Sequence, residues 1–274
     1  MNTTEFLYKT KPGRLALRLL ISRPVSELSG KILDSRLSAG FIKPFVRMYG
    51  IELDDYRSDG IHCFNDFFCR RIKDGRRRIS GGEDELIAPC DGLLSVYRIT
   101  DDTRLNIKQS SFTVRSMLRD SRLAQTYKNG YALVFRLCVY HYHRYVYFDS
   151  GYKYKNRRIP GFYHTVRPVA LEEFSVFAEN TREYAVIDSQ SFGRCVQMEI
   201  GAMLVGRIVN EHHSACRISR GDEKGHFEYG GSTVILLIPG GKAELRQDIM
   251  DSIGTAREIP VRMGETIGSG VYKK

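Results

Sequence analysis

Across residues 14–50 the apolar positions recur at the three-to-four spacing of a helix, not at the alternation of a strand. In RLALRLLISRPVSELSGKILDSRLSAGFIKPFVRMYG, Leu15, Leu19 and Leu20 gather near one face with Arg14 and Arg18 beside them. Pro24 divides the stretch into two helices, and Ser22 stands where a cap or a stop belongs. Such a pair can pack on a core, or lie in a membrane interface with its leucines in the acyl boundary and its arginines at the headgroups. As the membrane-facing side of a domain it does both. A second helical stretch, FNDFFCRRI at 64–72, carries Phe64, Phe67 and Phe68 as a core-facing stripe.

Beyond the polar, glycine-containing loop DGRRRISGGEDE at 74–85 the pattern changes. Short apolar and β-branched runs follow: LIAPCDGLLSVYRI, YALVFRLCVYHYHRYVYF, YAVIDS, CVQMEIGAMLVGRIV and STVILLI, set apart by glycines and charged turns. The expectation is an α+β chain. An amphipathic helical N-terminal segment over residues 1–80 rests on a mainly antiparallel β sandwich or barrel-like core over 81–274.

Composition narrows the class. The 274 residues, 42 % of them hydrophobic and 27 % charged, are enough to bury a sizeable core. The six cysteines, at 63, 69, 90, 138, 195 and 216, show no CxxC spacing, which argues against a zinc site or a disulfide framework and for a reducing compartment. No signal-peptide pattern is present, and no apolar run nears the roughly 20 residues of a membrane span, so the chain is not expected to cross a bilayer. A net charge of +10 calls for an anionic partner. With no RNP, zinc-finger or helix-turn-helix signature, an anionic membrane or acidic ligand is favoured over nucleic acid.

Three places gather reactive groups. GHFEYGGSTVILLIPGG, residues 225–241, puts Gly230-Gly231 against the start of a buried strand and follows it with Ser232 and Thr233. Two glycines ordinarily make a turn or bulge. They also remove the Cβ that would keep the Ser232 hydroxyl from its own preceding carbonyl. Asp91 stands in APCDG, where an aspartate usually caps a turn. His141 and His143 stand in VYHYHRYVYFDSG, read as one strand on which positions i and i+2 share a face.

With their neighbours these residues resemble the phosphatidylserine decarboxylases, a pyruvoyl-dependent family. The likeness runs through SRLSAGFIKPFVRMYGI, FNDFFCRRI, LIAPCDG, YHR at 142–144, PVALEEFSVFAENTREY, EIGAMLVGRI, GDEKGHFEYGGSTVILL and VRMGETIGSG. It implies a proenzyme that cuts itself between Gly231 and Ser232. Ser232 attacks the Gly231 carbonyl, the amide becomes an ester, and elimination releases chains 1–231 and 232–274 with Ser232 converted to a covalent pyruvoyl group. The two chains stay together as a heterodimer, with a further homodimer left open, and no metal is implied. Asp91 matches the family's activating acid, and His143 matches the histidine used in decarboxylation. The substrate implied is phosphatidylserine in an anionic membrane, met peripherally on the cytoplasmic side of the cell membrane, and the product is phosphatidylethanolamine.

Two positions depart. The family's D-Y-H-R-x-H reads H-Y-H-R-Y-V here, so Val146 replaces the histidine that pairs with acid and serine for self-cleavage, and His141 replaces an aspartate. A valine cannot move protons. His141 is the first candidate to take over, with His164, His212 and His213 as spares; slow processing by Asp91 alone and an unprocessed lipid-binding homologue are the alternatives. The same chemistry on a soluble amino acid or another serine lipid is a further one.

Overall fold

The computed structural model describes residues 3–100, 104–107, 110–166, 169–170, 174–202, 207–230 and 232–271. Helices α1 (Thr3–Lys9), α2 (Lys11–Leu20) and α3 (Arg23–Leu33) open the chain, followed by a 3-10 segment (Arg36–Phe41), α4 (Ile42–Tyr49) and a short α5 (Phe64–Phe68). Pro24 sits in the first turn of α3, where its missing N–H leaves no intrahelical bond unmade, so the expected break is a helix start. Thr10 caps α2 by accepting the Gly13 amide at 3.1 Å. α5 is shorter than the 64–72 stretch that its phenylalanines predict. After Cys69 the chain extends to bridge Ile72 to Tyr56, and the Arg71 carbonyl accepts the Arg57 amide.

The strands are β1 (Glu85–Ile87), β2 (Gly92–Arg98), β3 (Arg104–Ile107), β4 (Ser110–Thr113), β5 (Tyr131–Leu137), β6 (Arg144–Val146), β7 (Gly151–Lys153), β8 (Arg157–Ile159), β9 (Arg182–Ser189), β10 (Gly193–Ile200), β11 (Ile208–Asn210), β12 (Cys216–Ile218), β13 (Glu223–Phe227), β14 (Ser232–Ile238), β15 (Ala243–Leu245), β16 (Ile259–Val261) and β17 (Thr266–Gly270). One antiparallel sheet runs in the order β12-β7-β9-β10-β14-β5-β2-β16, with β8 beside β9. Two three-stranded sheets, β1-β17-β15 and β11-β13-β6, complete an open α+β sandwich, and the sheets do not close into a barrel. Two of the apolar runs are divided, the first at its expected turn and the second where one strand was expected. LIAPCDGLLSVYRI splits into β1 and β2 around a bend at 88–91, and YALVFRLCVYHYHRYVYF splits into β5 and β6 around a turn at 138–143.

The large sheet buries both faces. On one, Leu133, Phe135, Val234 and Leu236 meet residues of the two small sheets, among them Leu86, Tyr145, Phe227 and Ile267. On the other, Val134, Met198, Ile235 and Leu237 meet Tyr8, Leu17 and Ile21 of the N-terminal helices. A third cluster joins Phe64, Phe67 and Phe68 of α5 to Phe45 and Tyr229. α2 is apolar twice over: Leu17 points into the core, while Leu15 and Leu19 are exposed, as are Leu28, Ile32, Leu37 and Phe41 farther along. No described helix is long and apolar enough to cross a membrane.

Candidate active site

Ser232 opens β14, in the middle of the large sheet. The ladder runs from Ser232↔Leu137 to Ile238↔Tyr131 on one side and from Thr233↔Ile200 to Leu237↔Val196 on the other. Flanked on both edges and covered on both faces, the strand needs the unbroken apolar run that the sequence supplies. Side chains alternate, so Ser232 shares a face with Val234 and Leu236, the face under the small sheets. It is fully buried, and its Oγ has no hydrogen-bond partner among the described residues. An unpartnered buried hydroxyl costs about 1–3 kcal/mol, a cost that a site kept for chemistry can carry. Gly230 holds φ at +144°, a conformation that side-chain-bearing residues rarely adopt, so the chain reaches the strand through a backbone that glycine permits. Gly231, the expected cleavage residue, lies outside the described residues.

Asp91 occupies the bend between β1 and β2 and is buried. Its Oδ2 accepts Arg77 Nη2 at 2.9 Å, and its Oδ1 accepts the Met263 amide at 2.9 Å. Both oxygens are thereby held, by a loop arginine that the sequence reading did not single out and by the backbone near the C-terminus. The Val146 amide donates to Pro89 O at 2.8 Å, so position 146 adjoins the Asp91 bend. There the valine belongs to the apolar cluster that also holds Ala88, Cys90 and Phe227.

The two histidines do not share a strand face. His141 lies in the turn before β6, closed by a local bond from its amide to Cys138 O and by the Cys138 amide donating to His141 Nδ1 at 2.9 Å. They are joined instead through the backbone, because His143 Nδ1 donates to the His141 carbonyl at 2.9 Å. That bond fixes the neutral tautomer of His143 with Nε2 as the lone-pair nitrogen, and Nε2 is buried without a partner among the described residues. The ring lies against Phe68, with centroids 3.9 Å apart and the planes tilted by 36°. Burial and the nearby Arg70 guanidinium push the His143 pKa well below the usual histidine value. Burial lowers that of His141 too, opposed by the charge of Asp91.

The spare histidines sit elsewhere. His164 is on the opposite face of the sheet, stacked on Phe174 with centroids 4.5 Å apart and 3.4 Å from Tyr8 Oη. His212 is exposed, and His213 Nδ1 bonds Glu183 Oε1 at 3.2 Å. Two further groups were missed by the sequence reading. Arg70, almost fully buried, lies over the Tyr56 and Phe67 rings and reaches the Tyr140 and His141 carbonyls at 3.4 Å. Glu199 and Lys224 form a wholly buried ion pair at 2.5 Å. For Glu199 the signal was present: Val196, Met198 and Ile200 alternate with Gln197 and Glu199, which marks the second face as polar.

A cavity of about 520 Å³ opens beside α5, β6 and β13, lined among others by Arg57, Arg71, Arg144, Asp59, His226 and Glu228. Its charges are mixed, and several are already paired: Arg144 with Glu223, Arg57 with Asp74, Glu228 with Arg207. Glu211, Glu223 and His226 bring ligand-type atoms within 4.8 Å of one another. Arg144 already holds Glu223, and burial, aided by the charges of Arg144, Arg71 and Arg207, pushes His226 down to about 4, a setting that opposes a cation.

Residues 64–269 match the family model described as phosphatidylserine decarboxylase. Phosphatidylserine decarboxylase proenzyme 2 of Clostridium acetobutylicum is 41 % identical over 265 residues, covering 96 % of this chain and 90 % of the relative. The phosphatidylserine decarboxylase proenzyme of Clostridium kluyveri is 36 % identical, covering 96 % and 91 %. That of Ruminiclostridium cellulolyticum is also 36 % identical, covering 98 % and 91 %.

Proposed function

The chain belongs to the phosphatidylserine decarboxylase family, and from that premise we propose that it is a carboxy-lyase that turns phosphatidylserine into phosphatidylethanolamine, using a pyruvoyl group made from Ser232 by cleavage after Gly231. The observation that carries this reading is Ser232 itself: a fully buried hydroxyl with no partner among the described residues, entered through a glycine of left-handed backbone, at the head of the central strand. A pyruvoyl group there supplies an electron sink for the carbanion left when carbon dioxide departs. The residues present fit it: His143 offers an Nε2 without a partner among the described residues, and its ring lies on Phe68, which in turn meets Tyr229, three residues before Ser232.

His143 is the group that moves a proton in turnover. Its Nδ1 proton is committed to the His141 carbonyl, so Nε2 is free to take a proton from the substrate ammonium and to return it to the carbon that loses carboxylate. Phe68 covers the ring and keeps it dry. Asp91, clamped by Arg77 and the Met263 amide, supplies a fixed negative charge beside His141. The mixed lining of the cavity suits a headgroup that itself bears a phosphodiester, a carboxylate and an ammonium.

The exposed leucines of α2 and α3, with Arg18 and Lys31 nearby, are the face by which the enzyme sits peripherally on the cytoplasmic leaflet. Flotation with phosphatidylserine vesicles measures this. Binding should weaken as salt rises, by roughly 1 kcal/mol for each basic residue screened; salt-independent binding would remove the electrostatic part.

Val146 favours a second reading, an unprocessed homologue that only binds lipid. Intact mass separates the two. Wild type should give two chains, the smaller lacking a free amine, and Ser232→Ala one chain with no release of carbon dioxide. A Ser232→Ala protein that still decarboxylates phosphatidylserine sinks the pyruvoyl reading.

A further inference from the structure

Self-cleavage needs a base for Ser232, and the histidine that would serve is Val146 here. Asp91 has both oxygens engaged, and His141 has committed Nδ1 to the Cys138 amide. One buried acid on the Ser232 face is used by nothing described above. Glu199 stands directly opposite Val234 in the β10–β14 ladder, so it projects to the same face as Ser232 and lies one diagonal step from it. Diagonal neighbours in an antiparallel pair have Cα atoms about 7–8 Å apart, which a glutamate side chain spans. Glu199 is fully buried; its Oε2 accepts Lys224 Nζ at 2.5 Å, while its Oε1 has no partner among the described residues. Ser232 Oγ and Gln197 Oε1, in the same layer, are also unpartnered.

We propose that Glu199 is the base that takes the Ser232 hydroxyl proton in self-cleavage, the role left empty at Val146. The inference rests on the self-processing reading above. In the step, the Oγ proton passes to Glu199 Oε1 as Oγ bonds to the preceding carbonyl carbon. That carbon then releases the Ser232 nitrogen, which takes the proton back from Glu199. An amide becomes an ester, and no oxidant, reductant or co-reactant is needed.

Lys224 and Asn210 hold the carboxylate in place and leave one oxygen free. The groups that surround it are Lys224 from β13, Glu183 from β9, Lys153 from β7, Tyr145 from β6, and Tyr147 and Cys90 from the adjoining segments. Burial raises the Glu199 pKa to about 7 against the pull of Lys224. A base of that strength is matched to neutral pH, whereas His143 is far weaker.

The test follows precursor cleavage of freshly translated full-length chain by gel and intact mass, at pH 5.5 to 8.5. Wild-type cleavage should quicken as pH rises through the region of 7; a flat profile overturns the proposal. Glu199→Gln should slow cleavage by roughly 10²–10⁴, and hydroxylamine, which cuts an accumulated ester, should release no fragment. Cleavage of that variant at the wild-type rate overturns it. Should Glu199→Gln fail to fold by circular dichroism, the double variant Glu199→Gln with Lys224→Met, which removes both buried charges, carries the same two outcomes. A wild-type chain that stays whole at every pH overturns the self-cleavage reading and the proposal with it. Wild-type cleavage beside an intact, folded Ser232→Ala, with Glu199→Gln cleaving normally, overturns the proposal alone.

Discussion

The two faces of the large sheet each bury a histidine and an arginine, and they treat them differently. On the helix-covered face, His164 meets Tyr8, Phe174 and Glu179, and Arg182 donates to the carbonyls of Met117, Ala178, Asn180 and Ser116 at 2.7–3.1 Å. In the layers beyond the other face, His143 keeps Nε2 empty, and Arg70 reaches its carbonyls only at 3.4 Å with Nε unpartnered. Thr233 and Tyr127 are exceptions on the first face, each with an unpartnered hydroxyl. Since an unsatisfied buried polar group costs stability, a cluster of them in one layer marks where the fold is held ready for something other than itself. The satisfied side tells what such residues look like when their only work is structural.

The sharpest way to break this comparison is to exchange the roles of the histidines. His143→Gln should reduce carbon dioxide release by roughly 10²–10⁴ while precursor cleavage continues. His164→Gln should leave the turnover of folded protein unchanged. Loss of turnover in a stably folded His164→Gln would erase the distinction between the faces.

Next in size are the arginines. Arg182→Met strands four carbonyls in the core and should lower unfolding free energy by roughly 3 kcal/mol or more in urea titrations. Arg70→Met loses weaker bonds and its contacts over Tyr56 and Phe67, about 1–2 kcal/mol. It should nonetheless slow decarboxylation, because the His141 carbonyl that orients His143 is then held by fewer donors. Equal stability losses for the two variants would argue against the contrast.

The last is an acid effect, spread over a wide pH range. Burial holds His164 down to about 4, so the unfolded chain, titrating near 6.5, binds the proton first as pH falls. The stability that His164 contributes as a neutral group is therefore present above about pH 6.5 and lost between there and about 4, up to about 3 kcal/mol. Melting temperatures across that window should fall less steeply for His164→Gln; an unchanged slope would show that His164 is not the group titrating.

Much of this was legible in the sequence where one local rule decided the outcome. STVILLI coincides with β14, Pro24 starts α3, and PCDG forms the bend that carries Asp91. The turn at 138–143 was not legible, because CVYHYH contains no glycine or proline and is closed by the His141 imidazole bonding the Cys138 amide. Nor was Arg77, whose pairing with Asp91 depends on how a polar loop folds back over a bend fourteen residues away. Contacts of that kind come from tertiary packing, and no periodicity announces them.

The position of Ser232 in the weave has a mechanical consequence. A scission just before β14 leaves that strand laced between β10 and β5, with β16 sewn to β2 and β17 to β1. The shorter piece would then be threaded through four strands of the longer one. Dilution alone could not separate such fragments, and their parting would report the rupture of the whole fabric, not the grip of one on the other.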